Sequence, residues 1–177
     1  MEQMRGTTIL CVKKGDNVCV TGDGQVTLQN TVLKHTARKV RKIYNNSVII
    51  GFAGSVADAF ALMERFEEKL NSLDGDLYRA GYELAKDWRT DKALRKLEAM
   101  MIAATKEKIV LLSGSGEVIV PDEDVLAIGS GGSFAYSAAR ALYEETDLNA
   151  KEICEKAMKI ASDVCIYTNN NLTVEEL

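Results

Sequence analysis

A chain of 177 residues with 46% apolar and 27% charged residues, one Pro and 13 Gly is long enough for one well-cored domain and too short for two comfortable ones. Its net charge of -4, with the only local basic excess at Lys34, Arg38, Lys39, Arg41 and Lys42, lacks the basic balance and interleaved aromatics of a nucleic-acid binder. No apolar run reaches the roughly 18 residues of a membrane span. The four cysteines, Cys11, Cys19, Cys154 and Cys165, form no CxxC pair and stand beside a single histidine, His35, which argues against zinc.

In chain order, Thr7 to Val12 and Val18 to Gly22 read as strands around the turn Lys14-Gly15-Asp16-Asn17, and Arg38 to Tyr44 and Val48 to Ala53 repeat that design around Asn45-Asn46. The period then changes. From Ser55, apolar residues at Val56, Ala59, Phe60, Met63, Phe66 and Leu70 mark one helical face, with Ser55 and Asp58 as a capping box. Leu77, Ala80, Gly81, Leu84 and Trp88 mark a second helix. Strands return at Ala99 to Thr105, Ile109 to Ser113, Glu117 to Val120 and Val125 to Ile128, with Gly114-Ser115-Gly116 as a hairpin turn. Helices follow from Ser133 to Glu145 and from Asn149 to Val164, the latter opened by Asn149 and Glu152. Ile166 to Thr168 and Leu172 to Val174 read as short strands. Hairpins, a helix pair, more strands and a second helix pair make an α+β layout, and two antiparallel sheets with a helix pair outside each would bury every apolar face.

Chemistry centres first on Gly6-Thr7-Thr8. If the bond after Gly6 is cut, Thr7 carries both a hydroxyl nucleophile and, as its own α-amine, the base that activates it. Such an amine has a pKa near 8, and a nearby cation drives it further toward the free base. Lys39 is the candidate cation. In a strand it shares a face with Arg41, so one basic pair points inward, and Asp23 in the turn Gly22-Asp23-Gly24-Gln25 is a candidate partner. The bland alternatives stand beside these: Thr7 as an ordinary β-branched strand residue, Lys39 as a solvated base. Two glycine turns before helices, Gly51-Phe52-Ala53-Gly54 and Gly129-Ser130-Gly131-Gly132, could offer N–H groups to a phosphate or an oxyanion. Neither is a Walker A or GxGxxG sequence, so nucleotide binding gains little support. His35 reads as a loop residue and supports no Ser-His-Asp triad.

Seven ordered blocks carry a family resemblance: Thr7-Thr8-Ile9; Gly22 to Gln25; Lys39-Val40-Arg41; Gly51 to Gly54 with Ala57-Asp58-Ala59; Glu83 to Asp91; Ile128 to Gly132; and Cys165-Ile166-Tyr167-Thr168-Asn169. From Gly6 to its C-terminus the chain resembles the HslV (ClpQ) peptidases, proteasome-like threonine peptidases of the N-terminal-nucleophile hydrolases. The resemblance implies a four-layer αββα sandwich, with residues 1–6 a removable leader and 7–177 one peptidase domain. It implies Thr7 as nucleophile, Asp23 and Lys39 setting its electrostatics, the Gly51 N–H lining an oxyanion hole, and Ser130 and Asp163 supporting the amine's proton network. A Na+ or Mg2+ ion on backbone carbonyls of Ser162, Cys165 and Thr168 is implied, with no organic cofactor.

By the same resemblance the chain forms a dodecamer of two stacked hexameric rings. A hexameric AAA+ unfoldase, HslU (ClpY), feeds it protein substrates, and only that partner uses ATP. Neither nucleic acid nor membrane is an expected partner, and a reducing cytoplasm is the expected compartment, since Met1 to Gly6 holds no apolar signal core. While the Gly6-Thr7 bond is intact, the Thr7 nitrogen is an amide and no base. The rival expectation is therefore an unprocessed ring subunit acting as a scaffold for an ATPase.

Overall fold

A computed structural model describes residues 4–5, 7–54, 56–92 and 99–177, with backbone only at 4–5 and 56–58. The Ser55 to Asp58 capping box lies outside the described side chains. β1 (Met4–Arg5) precedes the hairpin of β2 (Thr8–Lys14) and β3 (Asn17–Gly22), which turns at Gly15 with φ of +61°. β4 (Val26–Leu28) and β5 (Thr31–Lys34) form a small hairpin absent from the expectations, because β5 is exposed along its length and carries no alternating burial signal. β6 (Val40–Ile43) and β7 (Val48–Ala53) join through Tyr44, Asn45 and Asn46, all at positive φ. Helices α1 (Val56–Ser72) and α2 (Leu77–Thr90) follow, then strands β8 (Met100–Ala104), β9 (Ile109–Ser113), β10 (Val118–Ile119) and β11 (Val125–Gly129). The chain ends with α3 (Gly132–Glu145), α4 (Ala150–Val164) and β12 (Thr173–Glu176).

Most expected elements are present within a residue or two at their ends. Asn149 caps α4 through the expected box, its side chain accepting from the Glu152 N–H while the Glu152 carboxylate accepts from the Asn149 N–H. Ile166 to Thr168 is a turn and not a strand: the Thr168 N–H bonds back to the Cys165 carbonyl, and Ile166 stands 78% exposed.

Two antiparallel sheets, in the orders β11-β2-β3-β12 and β10-β9-β8-β7-β6, stack face to face. Three apolar layers hold the stack together. Ile9, Cys11, Val20, Val40, Ile49 and Ile102 fill the space between the sheets. Leu62, Phe66, Leu84 and Trp88 of α1 and α2 cover Ile50, Met101 and Leu112. Ile153, Ala157 and Ala161 of α4, with Ala135 and Ala139 of α3, cover Leu10 and Val12. Successive residues of one strand enter different layers, Ile9 one way and Leu10 the other, so both strand faces are apolar. This is the four-layer αββα arrangement. All four cysteines are buried and free, and burial holds the Cys11 and Cys154 thiols well above their ordinary pKa.

The C-terminal residues clasp the stack at one edge. β12 pairs with β3, Leu177 and Val18 exchange backbone hydrogen bonds, and Glu175 accepts from Arg38 at 2.8 Å and lies 4.0 Å from Lys42 Nζ. Third, β1 lies antiparallel to β4, with Met4 opposite Leu28 and Arg5 opposite Thr27, beside β5.

The layering predicts unequal costs on α2. Leu84→Ala empties a fully buried site and should cost about 2–5 kcal/mol, whereas Tyr82→Ala, at a 57% exposed position, should stay within about 0.5 kcal/mol. Urea unfolding followed by fluorescence of Trp88, the one tryptophan, measures both. Equal costs at the two positions would be inconsistent with this layer.

Candidate active site

Thr7 stands at the entry to β2 and is buried. Its position comes from backbone contacts on one side. The Ser130 N–H donates to the Thr7 carbonyl at 2.8 Å, and Gly129, at φ of +93°, passes so close that a Cβ there would fall 1.8 Å from that oxygen. Only glycine fits position 129. The Gly131 N–H donates to Thr8 Oγ1 at 2.9 Å, and that hydroxyl also bonds Thr168 Oγ1 at 2.7 Å. The glycine turn before α3 thus spends the N–H groups of Ser130 and Gly131 inside the protein, which removes the phosphate-cradle reading of that turn.

Asp23 closes the other side. Its carboxylate is fully buried and takes four donors: the Thr8 N–H and Lys39 Nζ at 2.8 Å each on Oδ1, and the Gln25 and Asn169 N–H groups at 3.0 and 3.3 Å on Oδ2. Lys39 Nζ also donates to the Gln25 carbonyl at 2.6 Å. Burial lowers the Lys39 pKa below its ordinary value, while the Asp23 charge and hydrogen bond oppose that shift. An ammonium held in this way is a fixed positive charge beside the Thr8 backbone, poised nearer to neutrality than a solvated lysine.

Of the expected inward basic pair, only Lys39 enters. It lies one residue before β6, outside the strand's strict alternation, whereas Arg41 stacks over the Phe60 ring at 4.7 Å on the helix side. Ser130 is near Thr7 through its backbone, with its side chain exposed; Asp163 is exposed on the last turn of α4. Ser162 bonds its hydroxyl to the Lys159 carbonyl, Cys165 is buried, and Thr168 reaches Thr8.

Gly51 is a strand residue, not part of a turn. The Phe52 N–H donates to the Lys39 carbonyl, so antiparallel alternation turns the Gly51 N–H the other way, toward β8, where Gly51 faces Ile102. Its missing side chain makes room for the other sheet: a Cβ at Gly51 would lie 2.6 Å from Ile9 Cγ2. Gly54, just past β7 at φ of +141°, takes the Phe52 direction beyond the start of β6. Sequence reading passed over Thr8, Gln25 and Asn169 as functional positions. Each lay within a quoted motif, but the contact between positions 23 and 169 spans a separation of 146 residues and no local signal marks it.

A proteasome-subunit family model matches residues 4–177. HslV from Trypanosoma brucei superposes with a TM-score of 0.92 at 49% identity, over 96% of this chain and 98% of that one. The chain belongs to the proteasome-like, HslV-type family of N-terminal-nucleophile hydrolases. It is a proteasome-like protease subunit. Thiobacillus denitrificans BPH shares the fold at TM-scores of 0.77, in complex with epoxomicin, and 0.76 without it, at 17% and 16% identity over 96% of this chain and 97% of that one in each case. Of the blocks quoted from the sequence, those holding Thr7, Asp23, Lys39, Ser130 and Thr168 meet at this site, whereas Glu83 to Asp91 lies along α2 in the outer helix layer.

Two measurements test this geometry. Gly51→Ala should cost about 1–3 kcal/mol by overpacking against Ile9, and adding Ile9→Ala should give a double variant more stable than the sum of the single costs. Strict additivity would remove the packing role. For Lys39, the native pKa lies below the unfolded value of 10.5, so unfolding takes up a proton between the two. The stability this group contributes is therefore complete above pH 10.5 and lost as pH falls through the native pKa. Lys39→Arg, which stays charged, should lack that rise, and urea midpoints from about pH 8 to 11 should show the wild type gaining on the variant. A constant gap between them would contradict the shift.

Proposed function

We propose that this chain is a threonine endopeptidase that forms the chamber of a two-component, ATP-dependent protease. The observation that carries the reading is the placement of Thr7 between the saturated Asp23–Lys39 pair and the glycine turn at 129–131. Maturation removes residues 1–6: the Thr7 hydroxyl attacks the Gly6 carbonyl carbon, the acyl group moves from nitrogen to oxygen, and water cleaves the ester, freeing the α-amine. In the mature site that amine takes the hydroxyl proton as Thr7 Oγ1 attacks a substrate carbonyl, then gives it to the leaving amine. Water hydrolyses the acyl-enzyme. The buried Lys39 ammonium keeps the α-amine toward its free-base form.

For the developing oxyanion we assign the Gly54 N–H in place of Gly51, whose N–H belongs to the β7–β8 ladder. Ser130 remains the proposed hydroxyl of the amine's proton network, and Asp163 a charge at the end of α4 acting without direct contact. A Na+ or Mg2+ ion would be held by carbonyls of Ser162, Cys165 and Thr168. Carbonyl oxygens at a helix C-terminus suit a hard cation and lie at the negative end of the helix dipole, so the donor chemistry fits. The proposed assembly is two stacked hexameric rings in the cytoplasm, served by the AAA+ unfoldase HslU. Among the described residues no helix is long and apolar enough to cross a membrane.

Intact mass and N-terminal sequencing of protein isolated from cells should find a chain that begins at Thr7. Thr7→Ala should retain the leader and lose peptidase activity at least about a thousand-fold. A chain that keeps residues 1–6 after incubation with the ATPase would favour the scaffold reading, in which β1 stays paired with β4.

A further inference from the structure

The segment after α4 does more than end the chain's helical layer. The Asn169 side chain is held at both ends: its Oδ1 accepts from the Gly24 N–H at 3.0 Å and the Asn171 N–H at 3.1 Å, and its Nδ2 donates to the His35 carbonyl at 2.9 Å. The orientation of the carboxamide is forced, because one end meets two N–H groups and the other a carbonyl. Its backbone N–H completes the Asp23 carboxylate. Asn171 adds a second donor to the His35 carbonyl at 3.0 Å, and Gln25 Nε2 donates to the Ile166 carbonyl at 2.8 Å. Gly24 follows Asp23 directly, and a Cβ on it would lie 2.3 Å from the His35 oxygen, so the chain leading to Lys39 passes in close contact with the turn bearing Asp23.

We propose that Asn169 is a positioning residue of the catalytic centre, whose carboxamide ties the Gly24 turn to the His35 segment and thereby fixes the Asp23–Lys39 geometry that sets the basicity of the Thr7 amine. The inference rests on the threonine-peptidase reading. Two separate chain segments carry the two charges, β3's end and the approach to β6; Asn169 bonds to Gly24, next to Asp23, and to His35, four residues before Lys39. A neutral group is required. A carboxylate at 169 would still accept from Gly24 and Asn171 but would set an anion against the His35 carbonyl and add negative charge next to the Asp23 carboxylate that holds Lys39, favouring the protonated forms of both Lys39 and the Thr7 amine.

The experiment compares wild type, Asn169→Asp, Asn169→Ala and the surface control Asn170→Ala. Each is processed to Thr7, as verified by intact mass, and assayed with a fluorogenic peptide across pH in the presence of the ATPase; thermal midpoints are measured in parallel. For Asn169→Asp we expect kcat to fall about 10–100-fold with KM changed less than about 3-fold, and the limb of kcat/KM that reports the amine to move to higher pH. Asn169→Ala should lower kcat without moving that limb upward, and Asn170→Ala should match the wild type. If Asn169→Ala does not fold, the limb position in Asn169→Asp decides alone. Variants that lose thermal stability but keep wild-type kcat and pH profile would overturn the inference while leaving the peptidase reading intact. A wild type cut to Thr7 yet inactive would remove that reading, and this inference with it.

Discussion

The Asp23 carboxylate is buried without access to water, where an unsatisfied charge costs several kcal/mol, and one side of the Thr7 site is built by satisfying it. Four donors from four places in the chain converge on its two oxygens: the start of β2, the residue before β6, the turn after β3 and the segment after α4. Each donor is thereby pinned. Thr8 is fixed through its N–H, which aligns Thr7; Lys39 is fixed as a desolvated cation; and residue 169 is fixed although it stands near the far end of the chain. A carboxylate with all its acceptor sites filled serves as a structural hub and a source of field at once.

The second constraint is the approach of the two sheets. Gly22 and Gly51 sit where Ile9 and Val40 fill the inter-sheet space, and a Cβ at either would lie within 2.9 Å of a methyl group. Close sheets let a lysine beside one sheet reach an aspartate at the end of a strand in the other. The same closeness explains why Gly51 works as a spacer.

The two ends of the sandwich differ in kind. At the Thr7 end lie glycine turns and the buried polar groups Thr7, Asp23 and Lys39. At the opposite end an open, polar cleft of about 830 Å3 lies among the turns at 44–48, 74–77 and 105–108 and the C-terminus. It holds both lysines and carboxylates, among them Lys42, Lys108, Asp74 and Glu176.

Much was legible in the sequence because it is local. Period 2 against period 3.6 places all four helices and nine of the strands, and the Asn149–Glu152 cap marks the start of α4 to the residue. The ordered motifs brought Thr7, Asp23 and Lys39 forward as candidates. The β4–β5 hairpin stayed hidden because an exposed edge carries no alternation, and Ile166 to Thr168 resembled a strand because β-branched residues suit a turn that is held by its side chains. Direction was also hidden: that Lys39 turns inward and Arg41 outward, and that the Gly51 N–H points into the ladder, depends on pairing with other strands, Arg41 with Ile50 and Gly51 with Ile102. The sequence by itself determined the elements, their apolar faces and the residue types of the site. Tertiary structure decided which N–H groups are spent and which charge is buried, because hydrogen-bond direction and desolvation exist only once distant segments have met.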